Sequence, residues 1–115
     1  MPKIRKFYVR DEKVVWGEMH YQQDSKEFAL HIYRDTNIKK APIMLYAYAE
    51  VGMYDLSPEW SLRWVRDRII PPSRANIGEI MRGFGMTCYD EFEMFVKLSG
   101  RCVQDELYIE EMKDQ

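Results

Sequence analysis

Few residues in this chain have the type and spacing that catalysis or metal binding requires. The histidines are His20 and His31, and the cysteines are Cys88 and Cys102. No pair of them has the spacing of a zinc motif, so a metal site would need all four to converge. We therefore predict no metal and no cofactor, and we interpret the cysteines as reduced thiols. An enzyme that uses Cys88 or His20 is the least favoured alternative.

Two further patterns are typical of helix ends rather than of reaction chemistry. The string Arg82-Gly83-Phe84-Gly85 contains G-x-G, but phosphate loops place such glycines at a helix start after a strand. Asp90, Glu91 and Glu93 fall at a predicted helix N-terminus, where the helix dipole favours acids without a catalytic role. The catalytic loop, the DFG string and the glycine-rich ATP loop of a kinase do not occur. We expect no enzymatic activity.

A helix predicted from residue 58 to about residue 68 has two apolar sides. At about 100° per residue, one side carries Leu62, Val65 and Ile69. The other side is rich in Trp and Arg, the residue types that contribute most to protein interfaces. The candidate partner-binding residues on it are Trp60, Arg63, Trp64 and Arg68. The alternative is that the sheet and the other helices cover both sides, which would make the tryptophans core residues.

The 115 residues suffice for one domain that buries its own core. Strand-like alternation covers residues 4–10, 14–22 and 27–34, and short polar turns separate these runs, which predicts an antiparallel meander. After a polar link over residues 35–41, the segment from Pro42 to Tyr48 also alternates. We predict an extended segment there, although its alanines would tolerate a helix.

Three helices and a last strand are predicted in the rest of the chain. Ser57-Pro58 has the residue types of an N-cap and a first helical position, and Pro71-Pro72 prevents continuation. Asn76 with Glu79 resembles a capping box, and Gly85 ends that helix. Thr87 and Asp90 can both cap the third helix, and residues 106–110 are predicted to form a strand. The predicted fold class is α+β in one domain over residues 1–115: an antiparallel β meander, an extended segment, three helices and a C-terminal β-strand.

The charge pattern limits the partners that we expect. The net charge is −2, whereas a nucleic-acid binder gathers basic charge on one face. No apolar run approaches the roughly 18 residues of a membrane span, and the N-terminus lacks the apolar centre of a signal peptide. We therefore expect a cytoplasmic protein with no membrane partner and no direct nucleic-acid partner. The acidic tail over residues 110–115 is expected to be a solvated end.

Several strings, in their order along the chain, carry a family resemblance. Pro42-Ile43-Met44-Leu45 opens an alternating segment, and Ile69-Ile70-Pro71 ends a helix. A closing helix and strand follow at residues 90–95, Gly100-Arg101 and Tyr108-Ile109. This order resembles the N-terminal subdomain of HipA-type serine/threonine kinases, the toxin kinases of bacterial toxin–antitoxin operons.

The chain also departs from that family pattern at several positions. Met44 and Tyr46 stand where the family has serines, and Arg68 stands in place of an Asn. Gln104-Asp105 replaces a glycine near the final strand.

The resemblance implies a subdomain encoded without its kinase core. It would be a HipS-like antitoxin or regulatory subunit that docks on a separately encoded HipA-like kinase and restrains it. The alternative is a small accessory or prophage protein with no kinase partner. Such a protein would form a homo-oligomer through its sheet edge or its two-sided helix.

Overall fold

The computed structural model describes residues 3–34 and 38–112. The first three residues of the predicted polar link and the last three residues of the acidic tail lie outside these ranges. The strands are β1 (Ile4–Arg10), β2 (Val15–Gln22), β3 (Glu27–Ile32) and β4 (Tyr108–Glu111). The helices are α1 (Ile43–Glu50), α2 (Pro58–Arg66), α3 (Ile77–Phe84) and α4 (Glu91–Lys97), and a short 3-10 turn at Ile38–Lys40 precedes α1. The predicted α+β class is confirmed.

The four strands form one antiparallel sheet in the order β3-β2-β1-β4. The predicted meander supplies three of them, and β4 returns from the end of the chain to pair with β1. Phe28, Leu30 and Ile32 alternate into the core, as their spacing predicts. Gly17 on β2 lies so close to β3 that an added Cβ would be 2.2 Å from the carbonyl oxygen of His31.

The segment from Ile43 to Glu50 is a helix, so the predicted extended segment is wrong. Leu45 and Ala49 are buried while Ala47 between them is exposed, which fits one side of a helix, whereas one face of a strand would bury all three. The backbone N–H groups of Leu45 and Tyr46 both donate to the Pro42 carbonyl and so begin the first turn. Ala, Leu and Met favour helices, and packing against the rest of the protein selects that option here.

The capping residues of the other helices are mostly those predicted. Ser57 accepts a hydrogen bond from the Trp60 backbone N–H, and Asp90 accepts one from the Glu93 backbone N–H. Gly85 ends α3 with a φ of 75°, in the left-handed region that glycine tolerates. Asn76 makes no side-chain capping bond, so the predicted capping box at α3 does not form.

The core lies between one face of the sheet and the helices. α2 packs against β3, and α4 packs against α2. Aromatic rings join α4 to the sheet, with Phe92 stacked on Tyr21 at a centroid distance of 3.8 Å. α3 lies at the edge of this core, and its apolar stripe is only half-buried. The stripe consists of Ile77, Ile80, Met81 and Phe84.

Candidate protein-binding surface

Trp64 is a core residue and not a surface contact. Its side chain is only 1% exposed, and its indole N–H donates to the Met44 carbonyl oxygen at 2.9 Å. Its ring also meets Phe95 edge-on. The prediction that Trp64 binds a partner is therefore wrong, because α1 covers this side of α2. The sequence predicts an extended segment at α1, and that prediction leaves no helix to cover this side.

Arg68 is also buried, at 3% exposure, and holds a loop together. Its guanidinium donates to both carboxylate oxygens of Asp105, at 2.7 and 2.9 Å. It donates further to the carbonyl oxygens of Gly100 and Leu107. One side chain therefore ties both ends of the loop between α4 and β4 to the end of α2. These bonds occupy the guanidinium, so the predicted partner contact at Arg68 is also wrong.

Trp60 and Arg63 do lie at the surface, as predicted. Trp60 is 40% exposed, and the Arg63 guanidinium lies over its ring at 4.9 Å from the centroid. Tyr48 of α1 also meets the Trp60 ring edge-on at 6.1 Å. The Ser57 cap fixes the first turn that carries Trp60. The indole therefore contacts an arginine and a tyrosine while part of its surface faces water.

The outward side of α1 is apolar and uncovered. Ile43 is 65% exposed, Val51 is 71% exposed, and Ala47 between them is exposed as well. At about 100° per residue, Ala47 lies directly opposite the buried pair Leu45 and Ala49. A water-facing helix side normally carries charged or polar residues.

We call Ile43, Ala47, Val51, Trp60 and Arg63 the α1–α2 surface. Five large apolar side chains of the described residues are exposed, and three of them belong to this surface. The sequence predictions do not include its α1 half, because that segment alternates with a period of two. A spacing of four residues between Leu45 and Ala49 fits one face of a strand as well as one side of a helix, so no local signal indicates that Ile43, Ala47 and Val51 are exposed together.

The outer face of the sheet carries a cluster of paired polar groups. The Glu18 carboxylate accepts a hydrogen bond from the Tyr33 hydroxyl and pairs with His20 at 2.8 Å. Burial alone would raise the pKa of Glu18, but the bonds from Tyr33 and His20 outweigh it and hold that pKa below its usual value. The ring of His31 lies 4.8 Å from that of His20.

His31 connects this cluster to the segment between α1 and α2. Its Nδ1 lies 2.9 Å from an Asp55 carboxylate oxygen, and the two residues also form an isolated backbone bridge. The hydrogen bond with His31 is the main cause that lowers the pKa of Asp55. Each histidine of the chain is thus paired with a carboxylate.

Within residues 3–34 and 38–112, no group of three or more His, Cys, Asp or Glu side chains is arranged to hold a metal ion. Cys88 is exposed, Cys102 is half-buried, and both are free thiols. None of the helices in the described ranges is both long enough and apolar enough to cross a membrane.

Comparison with protein-family models, curated proteins and solved structures finds no match.

Proposed function

We propose that the chain is a non-catalytic binding module, and that it docks on a separately encoded HipA-like kinase and restrains it as a toxin–antitoxin component. The family resemblance of the sequence supports the choice of partner. The observation that carries the proposal is the α1–α2 surface, where an uncovered apolar helix side adjoins an exposed tryptophan–arginine pair.

Apolar groups in water favour association. Fully burying one side chain the size of Ile or Val stabilises the buried state by about 1.5–3 kcal/mol. Ile43 and Val51 are largely exposed, so a partner that covers them gains much of this free energy. Contiguous exposed apolar patches are typical of interaction sites. The α1–α2 surface therefore has a driving force for docking that scattered surface residues lack.

The Trp60–Arg63 pair suits the centre of such an interface. Trp and Arg are the residue types that most often dominate binding energy. Arg63 already lies over the indole in the free protein, and Tyr48 contacts the same ring edge-on. Side chains ordered in advance lose less conformational entropy on binding, so more of the contact energy appears as affinity.

The proposal is tested by binding to the kinase-like chain encoded beside this one. The two chains are co-expressed, and the affinity of the purified proteins is measured by calorimetry together with the kinase activity of the partner. We expect a complex with reduced phosphotransfer. The double variant Trp60→Ala/Arg63→Glu should weaken binding by at least about tenfold, the loss typical of a disrupted interface centre.

Arg82→Glu is the matched control, because Arg82 is an exposed arginine on α3, outside the α1–α2 surface. It reverses a charge as Arg63→Glu does and should leave the affinity unchanged. The proposal is wrong if the two chains form no complex at micromolar concentration. It is also wrong if the Trp60→Ala/Arg63→Glu variant binds as tightly as the wild type.

A further inference from the structure

We infer that, without a partner, a second copy of the chain covers the outward side of α1 through an antiparallel, two-fold helix pair centred on Ala47. This inference concerns the protein alone and goes beyond the proposed function. It shares with that function only the stripe formed by Ile43, Ala47 and Val51.

The stripe is complementary to itself. Ile43 and Ala47 lie on α1, and Val51 is the C-cap residue that follows it. The three are four apart, so they follow one line on the side of α1 opposite the core. In an antiparallel pair centred on Ala47, Ile43 of each copy faces Val51 of the other. A two-fold interface requires this kind of reciprocal contact. The small Ala47 side chain at the axis lets the two backbones approach closely.

The charges around α1 favour the same orientation. Lys39 and Lys40 are exposed just before the helix, and Glu50 is exposed in its last turn. α1 itself has no acid in its first turn and no base in its last turn. An antiparallel pair brings Glu50 of one copy towards the lysines and the positive helix end of the other. A parallel pair would instead bring like charges together.

The sheet edges offer a poorer route to self-association. The outer edge of β3 is already occupied, because Ile32 donates to Tyr54 and Leu56 donates to Leu30 through the backbone. The free edge of β4 is four residues long and carries Glu110 and Glu111. Short edges with charged side chains discourage strand pairing.

The first test measures molecular mass by sedimentation from low to high micromolar concentration. We expect a monomer–dimer equilibrium in the wild type, since the stripe is too small for a permanent dimer. Ala47→Glu should shift it to monomer. Gly83→Glu is the control, because Gly83 is exposed on α3 and an added side chain meets nothing within 4 Å. Circular dichroism checks that both variants stay folded.

The second test determines the orientation by disulfide formation under mild oxidation. Cys88 and Cys102 are first replaced by serine. Ala47→Cys should then cross-link with itself, because a disulfide needs Cα atoms within about 7 Å. Ile43→Cys and Val51→Cys should cross-link only when the two variants are mixed.

Three results would overturn the inference: a monomer at every concentration, a dimer that persists in Ala47→Glu, or self-cross-linking of Ile43→Cys. None of them bears on the kinase-like partner. A monomer that still binds the partner contradicts this inference alone, whereas a dimer that binds no partner contradicts the proposed function alone.

Discussion

Arg68 and Asp105 form a buried, two-point ion pair, with nitrogen–oxygen distances of 2.7 and 2.9 Å. The pair joins the end of α2 to the loop before β4, and the Met44 sulfur of α1 lies 3.5 Å from the same guanidinium. Met44, Arg68 and Asp105 are far apart in the chain and meet at this one place, so a change at any of them alters the contacts of the guanidinium.

Removing one member of this pair should be costly. Arg68→Met leaves the Asp105 carboxylate buried without its partner, which typically destabilises by about 3–5 kcal/mol. The control is Arg66→Met, which breaks the more exposed Arg66–Glu91 pair and should cost at most about 1 kcal/mol. Urea unfolding of both variants measures the difference. Equal losses of unfolding free energy in the two variants would show that the buried Arg68–Asp105 pair stabilises the protein no more than the exposed Arg66–Glu91 pair does.

The Gly17 position should tolerate no side chain. In Gly17→Ala the new methyl would be 2.2 Å from the His31 carbonyl oxygen, so β2 and β3 must separate locally. We expect a clear fall in the unfolding temperature. Gly83→Ala is the control, and it should be neutral or gain up to about 1 kcal/mol because alanine favours helices. A Gly17→Ala protein as stable as the wild type would contradict this close strand contact.

Acid should destabilise the sheet cluster. The pKa of Glu18 in the folded protein lies below its ordinary value of 4.5. A lowered folded pKa stabilises the protein above the unfolded pKa, and this contribution is lost as the pH falls through the folded value. Glu18→Gln should therefore lower stability at neutral pH and reduce the further loss below about pH 4.5. Thermal unfolding from pH 7 to pH 3 measures both effects, and parallel curves for the two proteins would contradict the lowered pKa.

The tryptophans should differ in their access to solvent. Trp60 is 40% exposed, whereas Trp16 and Trp64 are buried. Acrylamide should therefore quench one component of the emission and leave a blue-shifted remainder. Trp60→Phe should remove the quenchable component, and Trp64→Phe should retain it. Emission that acrylamide quenches equally in both variants would mean that Trp60 does not face solvent.

Local patterns in the sequence predicted the meander, the last strand and the caps at Ser57, Gly85 and Asp90, because neighbouring residues determine those features. Neighbouring residues do not determine the structure of the α1 segment. Its alternation satisfied a period of two, and only the packing of Leu45 and Ala49 against the rest of the protein selects the helix. Contacts between residues far apart in the chain decide between a strand and a helix here, and local periodicity does not indicate such contacts.

The same limit explains the two wrong site residues. A helical wheel placed Trp64 on a different side of α2 from Val65, but it could not show that α1 covers the Trp64 side. Arg68 lies 37 residues from Asp105, and no local pattern indicates such a pair. Trp60 and Arg63 do lie at the surface, in the first turns of α2, and their contact with a partner stays a prediction.

The most direct test of the central claim is hydroxyl-radical footprinting of the chain with and without the HipA-like kinase that we propose as its partner. This method reports side-chain accessibility, so the helical hydrogen bonds of α1 do not mask the result. The account predicts that the partner protects Ile43, Val51 and Trp60, while Tyr8 and His20 on the outer sheet face stay as reactive as before. Protection of the sheet face with an unchanged α1–α2 surface would contradict it.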